Sequence, residues 1–127
     1  MDPKSIVLVF AGAGTGGVLR HLLNWGLNPV LSGLPLGTLV ANVVGSGAAG
    51  AMLGLLQARL HLDPTLRPLV IVGFLGGLTT FSSFSLEVVQ ALENQKLLLA
   101  SGLVLLHVGA SIAAAIAGLA AVRALLA

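Results

Sequence analysis

The sequence predicts an all-α integral membrane protein with four transmembrane helices in one domain over residues 1–127. Of its residues 57% are hydrophobic and 8% are charged, and the mean hydropathy is +1.06. Soluble domains carry about a quarter charged residues. Four apolar segments each approach or exceed the roughly 20 residues that a helix needs to cross a bilayer, and short connections join them.

We predict spans over residues 5–27, 36–60, 69–92 and 97–126. The first run follows Lys4 and resembles a signal peptide, but Arg20 and His21 end it. No small-residue cleavage site followed by a polar mature domain appears. We therefore interpret this run as the first transmembrane span.

Composition argues against several functional classes. There is no cysteine, which removes disulfide and thiol chemistry. The basic residues are scattered, so the sequence pI of about 10.0 does not indicate nucleic-acid binding. Four acids and three separated histidines provide no nucleophile and base pair, so we do not expect an enzyme.

Charged residues give a weak orientation signal. An even number of spans puts both termini on one side of the membrane, and the mild excess of Lys and Arg there favours cytoplasmic termini without excluding the opposite insertion. The terminal side carries Lys4, Arg59, Arg67 and Arg123, and the other side carries Arg20 and Lys96.

Span one contains a glycine pattern that nucleotide-binding folds also use. Gly12, Gly14 and Gly17 match it, but such folds also need a βαβ unit and an acid about 20 residues on. No acid lies between Asp2 and Asp63. Close helix packing through Gly12 and Gly16 is the better interpretation. Near the end of the span, Arg20 is either an interfacial anchor or a positive charge at the mouth of an anion path.

Span two places polar side chains four residues apart on one helical face, namely Thr38, Asn42 and Ser46. An amide in hydrocarbon is expensive, so Asn42 either bonds to another helix or faces a polar pathway. Further along, Gly50 and Gly54 predict close helix packing.

Span three carries the most informative stretch, GFLGGLTTFSSFSLE over residues 73–87. Gly76 and Gly77 permit non-helical dihedrals, which predicts a broken helix whose second half is capped by Thr79 or Thr80. Broken helix at membrane depth is tolerated where it is buried in protein or lines an aqueous path. Carbonyls freed by the break suit a hard cation.

Beyond the predicted break, helical spacing puts Phe81 with Phe84 and Ser82 with Ser85. Ring edges are electropositive and hydroxyls donate hydrogen bonds, so this segment can hold a small anion without a fixed positive charge. Glu87 is either a solvated charge at the helix end or an acceptor for Ser83 and its neighbours.

Span four is rich in alanine and glycine, which predicts helix packing. His107 and Ser111 lie four residues apart within it. No acid or thiol lies near His107 in the sequence, so we interpret it as a hydrogen-bonding wall residue rather than a metal ligand.

The sequence resembles the Fluc, or CrcB, family of bacterial fluoride channels over nearly its whole length. The resemblance rests on residues 16–20, on Gly37-Thr38-Leu39 with Asn42 and Gly45, and above all on residues 73–85 with Glu87. Ser83, Leu103 and His107 depart from the pattern that we expect of relatives, which leaves the outer pore lining less certain than the break, the rings and the amide.

The resemblance implies a homodimer of antiparallel subunits with dual topology in the bacterial inner membrane and two fluoride pores at the interface. It also implies a structural sodium ion held by the backbone carbonyls of Gly76 and Thr79. The implied fluoride pathway comprises Arg20, Thr38, Asn42, Phe81, Ser82, Ser83, Phe84, Glu87, His107 and Ser111. The rival hypothesis is a coupled fluoride/proton antiporter or small multidrug-type exporter that uses Glu87.

Overall fold

A computed structural model describes residues 2–127, and its regular elements are all helical. Four helical regions are long and apolar enough to cross a membrane, which confirms the predicted number of spans. The helices are α1 (Pro3–Leu27), α2 (Leu36–Gln57), α3 (π-helical Arg67–Leu75 continued by α-helical Gly76–Leu78), α4 (Phe81–Glu93) and α5 (Leu97–Leu125, with a π-helical segment Leu106–Ala110).

The helix ends differ from prediction where local chemistry sets them. Helix α1 starts two residues early because the Asp2 carboxylate accepts the Lys4 N–H at 3.1 Å and Pro3 suits the first turn. Helix α2 ends at Gln57 rather than residue 60, and Arg59 has a left-handed φ of 53°. The third span begins at Arg67. Helix α4 ends at Glu93, two residues before Gln95, whose φ of 57° is left-handed.

Glycines let α1 and α3 approach each other at backbone distance. A Cβ at Gly12 would lie 2.1 Å from the Leu69 carbonyl oxygen, and one at Gly16 would lie 2.2 Å from the Phe74 carbonyl oxygen. From the other side, a Cβ at Gly77 would lie 2.4 Å from the Ala13 carbonyl oxygen. These contacts confirm the packing role predicted for Gly12 and Gly16.

Helix α2 packs in the same way on the second half of α5. A Cβ at Gly50 would lie 1.9 Å from the Ala115 carbonyl oxygen, and one at Gly118 would lie 2.1 Å from the Gly47 carbonyl oxygen. A Cβ at Gly102 or Gly109 would meet no atom within 4 Å. Within one chain, therefore, Gly118 has the packing function predicted for the glycines of span four, and Gly102 and Gly109 do not.

Within the third span the helical dihedrals stop at Leu78 and resume at Phe81. Thr79 (φ −82°, ψ 153°) and Thr80 (φ −152°, ψ 126°) are extended. Gly76, in contrast, is helical (φ −64°, ψ −37°). The prediction that the two glycines themselves leave the helix is therefore wrong, because Gly77 serves the close approach to α1 and the threonines change direction.

Candidate functional site

The Asn42 side chain bonds both backbone groups of Thr80. Its Oδ1 accepts the Thr80 N–H at 2.7 Å, and its Nδ2 donates to the Thr80 carbonyl at 2.9 Å. One amide of α2 thus supplies the partner that the Thr80 N–H would find in a continuous helix and adds a donor to the Thr80 carbonyl. The Thr80 hydroxyl then caps α4 by accepting the Ser83 N–H at 3.1 Å, as predicted from the sequence.

These bonds change the partners of two carbonyls. In a continuous helix the Gly76 carbonyl would accept the Thr80 N–H, and the Thr79 carbonyl would accept the Ser83 N–H. Both donors are instead directed to side chains, to Asn42 and to the Thr80 hydroxyl respectively. The Gly76 and Thr79 oxygens are therefore released from their usual helical bonds.

Three rings form a cluster beside the Asn42 amide. Phe84 is buried and stacks on His107, with ring centroids 4.5 Å apart and planes at 27°. Phe81 meets Phe84 edge to face at 5.4 Å and 72°. Phe81 is 76% exposed in the single chain, so its outer face has no cover from this copy.

A cavity of about 320 Å³ opens at this cluster, and we call it the ring cavity. It brings together five of the residues predicted for the pathway, together with Thr79. Its lining consists of Asn42, Ser46, Thr79, Thr80, Phe81, Phe84, His107, Val108, Ser111 and Ile112. Ser46 and Thr80 were not among the predicted site residues. The position of Ser46 on the same face of α2 as Thr38 and Asn42 was already visible in the sequence.

The chemistry of the ring cavity suits a small anion. Ser111 Oγ is buried and has no hydrogen-bond partner among the residues that the structure describes, so its hydroxyl is available to a guest. Phenylalanine ring edges carry partial positive charge. Lysine and arginine are absent from the lining, so an anion here would be held by donors and ring edges.

Glu87 lies at the neighbouring end of the same helical interface. Its Oε1 accepts the Thr38 hydroxyl at 2.5 Å, and its Oε2 lies 3.8 Å from His107 Nε2. Thr38 is buried and also contacts Asn24 Oδ1 at 3.2 Å. Of the two alternatives for Glu87, the structure agrees with an acceptor within the bundle, and its partner is Thr38 of α2 rather than Ser83.

A second cavity of about 280 Å³ reaches Glu87 from the membrane side that carries the α1–α2 connection, and we call it the polar cavity. Because Glu87 lines this cavity and His107 lines the ring cavity, the two approach each other at the Glu87–His107 contact. The polar residues that line the polar cavity were not predicted, because each is an ordinary residue near a helix end in the sequence. They are Asn28, Gln90, Asn94 and Lys96.

The remaining predicted residues lie outside both cavities. Arg20 of α1 donates from Nη1 to Ser83 Oγ at 3.2 Å, which joins two predicted residues in one contact. Ser82 is exposed, and its Oγ lies 3.3 Å from the Thr80 hydroxyl. Gly76 is exposed one turn before Thr80.

No cluster of three or more His, Asp or Glu side chains suitable for a metal occurs within residues 2–127.

Comparison with known proteins agrees with the four-span architecture. The family model described as "CrcB-like protein, Camphor Resistance (CrcB)" matches residues 7–119. The chain belongs to the CrcB-like family. This match covers all four spans, so the family assignment does not depend on the glycine motif of α1 alone.

Several members of the CrcB-like family are similar to this chain along most of its length. It is 43% identical to "Fluoride-specific ion channel FluC 1" of Yersinia pseudotuberculosis over 110 residues, 87% of each chain. It is 45% identical to "Fluoride-specific ion channel FluC" of Pseudomonas syringae pv. maculicola over 116 residues, 91% of each chain. These names support a channel and give no support to the coupled-exporter alternative.

Proposed function

We propose that the chain is a fluoride-selective channel of the bacterial inner membrane that lets fluoride leave the cell passively. The observation that carries this proposal is the ring cavity, which Phe81, Phe84 and the unpartnered Ser111 hydroxyl line together without a lysine or arginine. The names of the CrcB-like relatives support the same conclusion. The proposed function is transport without a chemical step.

The physical properties of fluoride fit this lining. Fluoride is small and strongly hydrated, so a pore must replace its water with donors while binding too weakly to trap it. Hydroxyls and ring edges provide such contacts. Hydrogen fluoride enters a cell as a neutral molecule and dissociates inside, and the inside-negative potential then drives the anion outward.

We propose that the pathway runs from the ring cavity past Glu87 to the polar cavity. Phe81, Phe84 and Ser111 would contact the ion in the ring cavity, which Asn42 also lines, and His107 and Glu87 stand where the two cavities approach. The other residues assigned to the pathway are Thr38 and the Arg20–Ser83 pair, with Ser82 beside the Thr80 hydroxyl.

We propose that two copies assemble as an antiparallel homodimer with one pore on each side of the interface. Phe81, 76% exposed beside the ring cavity, would then be covered by the second copy. The small Lys and Arg excess on the terminal side fits insertion in both orientations. In this arrangement each copy would complete the open side of its partner's cavity.

We further propose that a structural sodium ion lies at the centre of this dimer. Gly76 and Thr79 fit such an ion because their carbonyls lack their usual helical donors, and carbonyl oxygen is a suitable ligand for a hard cation. Carbonyls from both copies would surround the ion and tie the third spans together. The ion would stabilise the broken third helix and would take no part in fluoride movement.

Sodium replacement and surface labelling test this assembly. Exchange of sodium for N-methylglucamine is expected to lower the melting temperature of the purified dimer, since the ion binds only the assembled state. With cysteine introduced by Ala127→Cys, a membrane-impermeant maleimide should label about half the chains in intact cells if both orientations occur. An unchanged melting temperature would contradict the sodium site, and labelling of all or none of the chains would contradict dual topology.

Fluoride efflux from liposomes tests the function directly. Purified protein in vesicles loaded with potassium fluoride is expected to release fluoride when valinomycin is added, and vesicles loaded with potassium chloride should release little chloride. The flux should proceed without a pH gradient, whereas a coupled exporter would require one. Equal release of both halides, or no fluoride release from correctly assembled protein, would refute the proposal.

A further inference from the structure

The hydrogen bonds of Asn42 use every polar group of its amide. An amide offers two N–H donors and one carbonyl acceptor. Oδ1 accepts from the Thr80 N–H at 2.7 Å, and Nδ2 lies 2.9 Å from the Thr80 carbonyl and 3.0 Å from His107 Nδ1. In this geometry neither N–H is free for an anion in the ring cavity.

The Thr80 backbone fixes which way round this amide sits. A backbone N–H must face the amide oxygen and a backbone carbonyl must face the amide nitrogen, so a flipped Asn42 would oppose like groups at both contacts. The remaining Nδ2 hydrogen therefore points at His107 Nδ1. Since that nitrogen accepts a hydrogen bond, it carries no proton, and neutral His107 must carry its proton on Nε2.

Protonation of His107 would reverse this contact. A charged imidazole has an N–H at both nitrogens, so His107 Nδ1 and Asn42 Nδ2 would present hydrogens to each other across 3.0 Å. The ring or the amide must then turn away. The Asn42 N–H that His107 had occupied would become available to the ring cavity, which both side chains line.

We infer that His107 is a positioning residue that withholds one Asn42 N–H from the permeating anion, and that protonation of its ring releases this donor. The inference rests on the proposed channel function. It predicts a fluoride flux that rises as the pH falls, because the charged ring and the released N–H both attract an anion. Phe84, stacked on the ring at 4.5 Å, would respond to the same movement.

The polar groups that face the His107 side chain are one carboxylate and one amide. Glu87 of α4 places Oε2 at 3.8 Å from Nε2, and among residues 2–127 it is the one carboxylate within 4.0 Å of the ring. From α2 the ring meets the uncharged Asn42 amide. This separation is longer than a hydrogen bond, and neither atom has a hydrogen-bond partner within residues 2–127, so Glu87 would act on a charged His107 by Coulombic attraction and hold it beside the cavity.

The test compares the parent with His107→Asn in liposomes at equal pH on both sides. The asparagine amide oxygen can accept the Asn42 N–H but cannot take up a proton. Between pH 7.5 and pH 5.0 the parent flux, corrected for protein-free vesicles, is expected to rise about threefold or more, the range in which histidines change charge. The His107→Asn flux, whatever its absolute level, should change by less than about 1.5-fold over the same pH range.

Two further outcomes keep the inference separate from the channel proposal. Nitrogen-15 spectra of histidine-labelled protein in bilayers, with His107 assigned by its loss in His107→Asn, should show the Nε2–H form at pH 7.5 whether or not fluoride passes. A proton on Nδ1 would overturn the inference, as would a parent flux independent of pH or an unchanged pH dependence in His107→Asn. A protein with the expected tautomer that passes no fluoride at any pH would overturn the channel proposal and, with it, the effect on flux.

Discussion

Phe84→Ala is expected to reduce fluoride efflux from liposomes by about 30-fold, because the buried ring edge is lost from the ring cavity. A cation over an aromatic face gains about 2 kcal/mol in a desolvated site, and we assign the same magnitude to an anion at the oppositely charged ring edge. About 1.4 kcal/mol corresponds to a tenfold change. Phe84 is 6% exposed and stacks on His107, so its removal also loosens the wall beside Asn42. An electrode recording of released fluoride measures the effect.

Phe10→Ala is the matched control for this variant. Phe10 is an aromatic residue on α1 that is 80% exposed and lines neither cavity at the site. Its loss should leave the fluoride flux within about twofold, since the side chain contributes to neither cavity. If Phe84→Ala remains dimeric on size exclusion and still passes fluoride at the Phe10→Ala rate, ring edges do not contact the permeating ion.

Gly12→Ala is expected to prevent correct packing of α1 on α3. The added methyl group would lie 2.1 Å from the Leu69 carbonyl oxygen and 2.8 Å from the Phe74 amide nitrogen. These are backbone atoms of a helix and cannot turn aside as a side chain would. Overpacking of this kind costs about 1–3 kcal/mol and occasionally more. The melting temperature in detergent should fall by several degrees, and much of the protein should aggregate on size exclusion.

Gly14→Ala gives the comparison on the same helix two residues away. No atom lies within 4 Å of a Cβ at Gly14, and alanine favours a helix by up to about 1 kcal/mol over glycine. Its melting temperature should equal or exceed that of the parent. Equal stability of the two variants would show that the α1–α3 contact does not depend on backbone approach at Gly12.

The four spans could be predicted from composition because a bilayer imposes length and hydropathy on each helix separately. The position of the extended residues could not. Gly76 and Gly77 are compatible with two different structures, a break in the helix or a close approach to a neighbour, and the choice depends on α1, which places Ala13 against Gly77. Thr79 and Thr80 leave the helix where Asn42 supplies the replacement bonds.

The site shows the same division between local and distant information. Spacing alone placed Phe81 near Phe84, and these two rings are in contact. The Thr38–Glu87 and Asn42–His107 contacts join residues that are 49 and 65 positions apart. No periodicity within one helix contains those pairings. The sequence therefore left the surroundings of Glu87 open and did not predict that every polar group of the Asn42 amide is bonded.

The π-helical segment Leu106–Ala110 in α5 has a consequence for the length of the fourth span. A wider turn holds an additional residue, so loss of one residue there would give an ordinary α-helical turn and leave the two halves of α5 facing the same way. Gly118 would then stay on the Gly47 backbone on which it rests. A single-residue deletion in the regular α-helix between this segment and Gly118 would instead rotate Gly118 by about 100° off that contact, so single-residue deletions should be tolerated better within residues 106–110 than between them and Gly118.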